Sequence, residues 1–282
     1  MNEKINENRF KIEDVNELKQ IAKEIRKDIV EQVYIAKSGH PGGSLSIADI
    51  MTVLYFNEMN VDEKNPKMEE RDRFVLSKGH CAPALYAALS KRGFFGRDNL
   101  KSFRKIDGFL QGHPDMKKTP GVDSSSGSLG QGLSIANGMA ISAKLDNKSY
   151  RVYCLLGDGE IEEGQIWEAA MASNKYKLDN LCVIVDNNNL QIDGTIDEVM
   201  SPYPIDEKFR SFGFNVINID GNNIEEIVKA FDQARWVKGK PTCIVAKTVK
   251  GKGVSFMENK LEWHGKAPSE EEFNLAIKEL EL

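Results

Sequence analysis

Near the start of the chain, apolar residues recur at three- and four-residue steps: Val15, Leu18, Ile21, Ile25, Ile29 and Val33. That spacing lays one apolar face along a helix, and Gly39 is placed to stop it. A second helix is expected after Ser46. Farther along, the period changes. Short β-type runs occupy Arg73 to Leu76, Arg151 to Leu156, Leu181 to Val185, Asn215 to Ile219 and Thr242 to Ala246. Helical patterns lie between most of them, at Gly130 to Leu145, Glu162 to Tyr176 and Ile224 to Val237. The alternation predicts an α/β fold: an open, mostly parallel sheet with helices on both faces. No repeat, low-complexity tract or break in composition marks a linker, so one domain over 1–282 with an N-terminal helical extension is the simplest organisation.

One connection breaks this regularity. The stretch from Asp186 to Phe209 is rich in Asn, Asp and Pro and is long for a compact domain. It follows a strand, and in open α/β sheets ligands bind at the carboxyl ends of strands.

Composition narrows the class of protein. Of 282 residues, 40% are hydrophobic and 29% charged, and no uninterrupted apolar run reaches the length of a membrane helix. The amino-terminal MNEKINENRFKIED is polar and mixed in charge, unlike a signal or transit peptide, so a cytoplasmic protein away from membranes is expected. A formal net charge of -5 argues against a general nucleic-acid binder, and the basic stretch Lys247 to Lys252 is too short to reverse this. Cys81, Cys154, Cys182 and Cys243 lie far apart with no CxxC pairing, which predicts neither a disulfide framework nor a zinc site.

Two strand ends carry candidate chemistry. Leu155 to Gln165 reads LLGDGEIEEGQ, an apolar strand end followed by two glycines and the acids Asp158, Glu160, Glu162 and Glu163. Taken alone, Asp158 serves equally as a helix N-cap. The second end, Asp186-Asn187-Asn188-Asn189, changes this. If the strands are neighbours, a carboxylate and an amide oxygen meet at one edge, the oxygen donors a hard cation such as Mg2+ takes up alongside phosphate oxygens and water. Gly159, at a helix start, lets the backbone approach a phosphate. Glu160 and Glu162 are expected to be solvated helix-start residues.

Gly127 to Gly132, GSLGQG, has its glycines in the order reverse to the dinucleotide fingerprint, and it follows PGVDSSS and not a strand. It reads either as a cofactor-facing loop or as a flexible start to a packed helix. All four histidines lie in glycine- or proline-marked turns: SGHPGGS (His40), SKGHCAP (His80), QGHPD (His113) and WHGKAP (His264). None has the i, i+4 spacing of a helix-borne metal pair.

Gly157-Asp158-Gly159 followed at an interval by Asn187-Asn188 resembles the thiamine diphosphate motif, and the continuation LQIDG resembles its transketolase version. The four histidine turns match transketolase motifs as well, and the resemblance runs from Ile35 to Pro268. It implies the diphosphate-binding domain of the thiamine diphosphate fold, with Asp158, Asn188 and the carbonyl of Leu190 as ligands of Mg2+, Ca2+ or Mn2+. Gly127, Leu129, Gly159 and Ile192 would contact the cofactor. His80 and His264 would lie near its diphosphate, and His40 and His113 would reach toward the sugar. Glu163 and Glu168 match acids that connect paired cofactors in the family, although a solvated helix face suits both equally.

The activity implied is transfer of a two-carbon ketol unit from a ketose phosphate to an aldose phosphate, with the cofactor as electron sink. Single-chain transketolases continue into a pyrimidine-binding domain, for which nothing after WHGKAPSEEEFNLAIKEL can serve. The expectation is therefore the N-terminal subunit of a split transketolase, completed by a separate C-terminal subunit in a heterotetramer with two copies of each chain. Another thiamine diphosphate enzyme, such as a deoxyxylulose-phosphate synthase or a 2-oxoacid dehydrogenase component, and a non-catalytic scaffold of the same fold stand as alternatives.

Overall fold

The structure, a computed structural model, describes residues 10–281; the amino-terminal residues 1–9, with most of the segment read for targeting, lie outside them. Helices α1 (Val15–Ala36), α2 (Pro41–Ser46) and α3 (Ala48–Val53) come first, then β1 (Arg73–Leu76), α4 (Ala82–Arg92) and α5 (Gln131–Leu145). They are followed by β2 (Val152–Gly157), α6 (Gly164–Lys175), β3 (Leu181–Asn187), α7 (Ile196–Val199) and α8 (Ile205–Ser211). The chain continues with β4 (Asn215–Asp220), α9 (Ile224–Trp236), β5 (Thr242–Lys247) and α10 (Glu270–Glu279).

The strands form one sheet in the order β1-β2-β3-β5-β4, and each of its pairings is parallel. Side chains alternate along each strand, and here both faces are buried. Tyr153 and Leu155 of β2 pack into a core with residues of α1, α3, α4 and α9, while Val152, Cys154 and Leu156 pack against α5, α6 and α8. All four cysteines are free and buried within these layers. Among the described residues no helix is long and apolar enough to cross a membrane.

Four details differ from the sequence expectation. Helix α1 starts where predicted, with Asp14 capping the N–H of Asn16 at 2.8 Å, but it ends at Lys37 in the left-handed region (φ 52) and not at Gly39. An extra short helix, α2, ends at Ser46, ahead of the expected one. Strands β2 and β3 also run past their apolar residues, so Asp186 and Asn187 are still paired in the sheet, opposite Ala246 and Lys247 of β5. Polar residues persist there because their side chains are satisfied by neighbours, as the site below shows. The long connection from Asp186 to Phe209 is less irregular than its composition implied: Leu190 pairs with Thr195, and α7 and α8 follow.

Candidate functional site

The register of β2 and β3 sets Gly157 opposite Asp186, so the residues just past each strand, Asp158 and Asn188, emerge side by side at the carboxyl edge. Asp158 is 3% exposed; its Oδ1 accepts from the N–H of Gly159 at 2.9 Å and its Oδ2 from that of Asn189 at 2.5 Å. Burial, reinforced by the nearby Asp186 carboxylate, pushes its pKa up to about 7. The pocket thus holds an acid whose charge calls for a cation. The Oδ1 of Asn188 accepts from the N–H of Leu190 at 3.2 Å, and the Leu190 carbonyl accepts from Lys250 at 2.9 Å. Carboxylate and carbonyl oxygens carry more lone pairs than these bonds use, so all three groups retain acceptor capacity.

Behind them lies Asp186, fully buried. Its carboxylate accepts from Ser46 at 2.7 Å, from Lys78 at 2.5 Å, from the amide of Asn188 at 2.8 Å and from the Thr248 hydroxyl. Burial raises the pKa of a lone carboxyl, but the Lys78 ammonium outweighs it and holds Asp186 below its ordinary value.

Three histidines converge in front of this edge. Ring centroids lie 5.1 Å apart for His40 and His80, 5.4 Å for His40 and His264, and 5.3 Å for His80 and His264. The close approach of their segments depends on Gly42, where an added Cβ would meet the Trp263 carbonyl oxygen at 2.8 Å. Burial, followed by the surrounding positive charges, lowers the pKa of His40 and His80 to about 4 and that of His264 to about 3. All three are neutral imidazoles at pH 7. The Nδ1 of His40 is buried and has no hydrogen-bond partner among the described residues, so it is available to a ligand.

Together these groups wall a cavity of about 270 Å³ lined by His40, Lys78, His80, Gly127, Leu129, Asp158, Gly159, Asn188, Leu190, Ile192, Lys250 and His264, among others. The glycine loop reaches it with Gly127 and Leu129 and turns away at Gly130, whose φ of +83 and 2.8 Å clearance to Gln165 leave no room for a side chain. Glu160 fastens this loop. It is buried, not solvated as expected, because its carboxylate accepts from the N–H groups of Gly130 and Gly157, each at 2.9 Å, and from the Ser77 hydroxyl. Glu162 is half-buried and accepts from Gln191 at 3.1 Å.

The family profile described as "Transketolase, thiamine diphosphate binding domain" matches residues 17–281. The chain belongs to the transketolase family. Among its relatives is an apulose-4-phosphate transketolase subunit of Phocaeicola vulgatus, 45% identical over 90% of both chains. Another is the 6-deoxy-6-sulfo-D-fructose transketolase subunit SqwG of a Clostridium species, 46% identical over 94% of this chain and 96% of its own. These relatives match it nearly end to end, and the chain is a transketolase-type enzyme subunit of their kind. The crystal structure of Campylobacter jejuni transketolase superposes with a TM-score of 0.90 at 34% identity, covering 95% of this chain but 43% of that one. The chain therefore spans less than half the length of that transketolase.

A transketolase of this fold binds thiamine diphosphate, and the residues present fit it. Two lysines line the cavity to meet a diphosphate, Asp158 carries charge that a cation would offset, and the orphaned Nδ1 of His40 awaits a polar partner.

Of the residues predicted from sequence, ten line this one cavity: His40, His80, Gly127, Leu129, Asp158, Gly159, Asn188, Leu190, Ile192 and His264. Three do not. His113 is exposed at the rim, its ring 3.4 Å from where a Cβ on Gly127 would stand. Glu163, just before α6, and Glu168, within it, are exposed and outside the cavity lining. Sequence reasoning missed Lys78, Lys250, Glu160 and Asp186. Lys78 and Lys250 each lie a few residues beyond a strand's carboxyl end, a signal that their place in SKGHC and in the basic stretch concealed.

Proposed function

We propose that this chain is the N-terminal subunit of a split transketolase, which transfers a two-carbon ketol unit from a ketose phosphate to an aldose phosphate with thiamine diphosphate and a divalent metal. The cavity carries the reading, because two cationic lysines, one acid with an amide and carbonyl beside it, and three neutral histidines occupy a single carboxyl edge. Bound thiamine diphosphate supplies the carbon nucleophile and electron sink. Asp158, Asn188 and the Leu190 carbonyl hold Mg2+, with Ca2+ or Mn2+ as substitutes. Lys78, Lys250, His80 and His264 hold the diphosphate, and Gly127, Leu129, Gly159 and Ile192 shape the cofactor walls.

His40, His80, His113 and His264 move protons at sugar hydroxyls, for which neutral imidazoles are suited. Arg104 adds charge at this mouth. It bonds Ser38 at 3.0 Å and is close enough to lower the pKa of both His40 and His113, so it favours the anionic end of a sugar phosphate. Glu163, at the start of α6, and Glu168, on its exposed face, link to a second copy of the site across an interface between chains.

The cofactor site is completed by a separate C-terminal subunit, which supplies the pyrimidine-binding domain in a cytoplasmic heterotetramer with two copies of each chain. Exposed apolar residues support this: Leu129 and Ile192, at 37% and 67% exposure, stand on the cavity rim and call for a cover. Residues 1–282 act as a single diphosphate-binding domain with an N-terminal helical extension. The test is reconstitution. The purified chain should lack ketol transfer, and adding its copurifying partner with thiamine diphosphate and Mg2+ should restore it; robust turnover by the chain alone would reject the shared site.

A further inference from the structure

The fully buried carboxylate of Asp186 faces four donors: Ser46, Lys78, Asn188 and Thr248. Three of these donors meet Oδ2 and the Thr248 hydroxyl meets Oδ1, so the carboxylate is engaged from inside the protein and is not among the groups lining the cavity. Its neighbours, by contrast, are directed by it. The Asn188 side chain gives its NH2 to Asp186 at 2.8 Å, which turns Oδ1 the other way; the flipped amide would set oxygen against carboxylate. Lys78 has three donors and gives one to Asp186 and one to the Gly43 carbonyl at 3.0 Å, leaving one for the cavity that it lines.

We propose that Asp186 is a positioning residue of the cofactor site, fixing which face of the Asn188 amide meets the metal and where the Lys78 ammonium meets the diphosphate. This rests on the reading of the cavity as a thiamine diphosphate and metal site. Asp186 itself touches neither ligand. It acts from behind, and the hydroxyls of Ser46, in α2, and Thr248, just past β5, hold it in place.

Mn2+ binding tests the proposal by electron paramagnetic resonance on the full chain combined with its copurifying partner and saturating thiamine diphosphate. An Asp186→Asn side chain has one oxygen for four donors, and the Asn188 amide is the group able to turn over. The expected result is roughly a tenfold or greater loss of Mn2+ affinity, with a changed zero-field splitting in the spectrum of the bound ion. A merely structural role would leave the bound spectrum as in the unsubstituted chain. Unchanged affinity and spectrum overturn the proposal while leaving the cofactor reading intact. An unsubstituted chain that takes up no Mn2+ with thiamine diphosphate and its copurifying partner overturns the cofactor reading, and this proposal with it. Thr248→Val keeps the carboxylate and lies behind it, and should lower Mn2+ affinity about threefold, the effect of one modest hydrogen bond. A folded Thr248→Val chain with undiminished affinity overturns the proposal even where Asp186→Asn fails to fold.

Discussion

The ammonium of Lys250 lies 2.9 Å from Nδ1 of His264, and the same ammonium donates to the Leu190 carbonyl at 2.9 Å. A protonated lysine can only donate, so Nδ1 is the acceptor and the ring proton sits on Nε2. The lysine is itself held down to about 8 by burial and by the charge of Lys78. Lys250→Met removes a positive charge from beside the imidazole. The His264 titration midpoint, about 3 with the lysine present, should then move up by about one unit or more. Imidazole NMR signals followed against pH would record it, and an unmoved midpoint would refute the charge coupling.

Acid should weaken the cofactor-free chain through the same histidines. Each has a folded pKa below its ordinary 6.5: His40 and His80 about 4, His264 about 3. The unfolded chain therefore binds more protons below 6.5, so this contribution is complete above that pH and is lost as pH falls toward 4 and then 3. Urea unfolding at pH 7 and at pH 5 should show the loss, and His80→Gln combined with His264→Gln should flatten it. An equally steep decline in the double variant would assign the effect to other groups.

Asp158 has the opposite sign. Its folded pKa of about 7 exceeds the ordinary 3.8, so the folded state holds a proton that the unfolded state releases. Its contribution is present below 3.8 and is lost as pH rises through 7. At pH 8 without metal, Asp158→Asn should unfold no earlier than the parent chain, yet Mg2+-dependent binding of thiamine diphosphate should fall by roughly tenfold or more. Calorimetry measures both. Undiminished binding would remove Asp158 from the metal shell.

Glu160→Gln should cost stability, because the buried carboxylate answers two N–H groups and a hydroxyl, whereas an amide brings its own NH2 against one of them. The expected loss is about 1–3 kcal/mol in urea unfolding. Hydrogen exchange at the Gly130 amide should accelerate in parallel, since that N–H loses its acceptor. Loss of stability without faster exchange at Gly130 would place the damage elsewhere.

Much of this was legible in the sequence, for definable reasons. The central strands announced themselves because both sheet faces are buried there, which makes β2, β3 and β5 near-continuous apolar runs, and the parallel order followed from alternation with helices. Asp158, Asn188 and the histidines were readable because glycine and proline turns mark the places where they leave regular structure. What escaped were the groups whose role is set by a partner far away in the chain. Lys78 and Asp186 are 108 residues apart and become intelligible only as a buried pair. Glu160 looked solvated because a carboxylate at a helix start usually is; only the approach of Gly130, thirty residues back, buries it. Lys250 was hidden in a stretch read for charge, while its neighbour Lys247 is indeed exposed.

Setting Gly157 opposite Asp186 does more than bring Asp158 and Asn188 to one edge. A slip of β3 by a single residue would carry Asn188 away from Asp158 and, in the same movement, turn Val183 and Val185 out of one core and Cys182 and Ile184 out of the other. Misassembly of the site is thus never a quiet error in an otherwise sound protein. Any chain whose two apolar layers have closed properly has already aligned Asp158 with Asn188, so proofreading of the core also inspects the cavity.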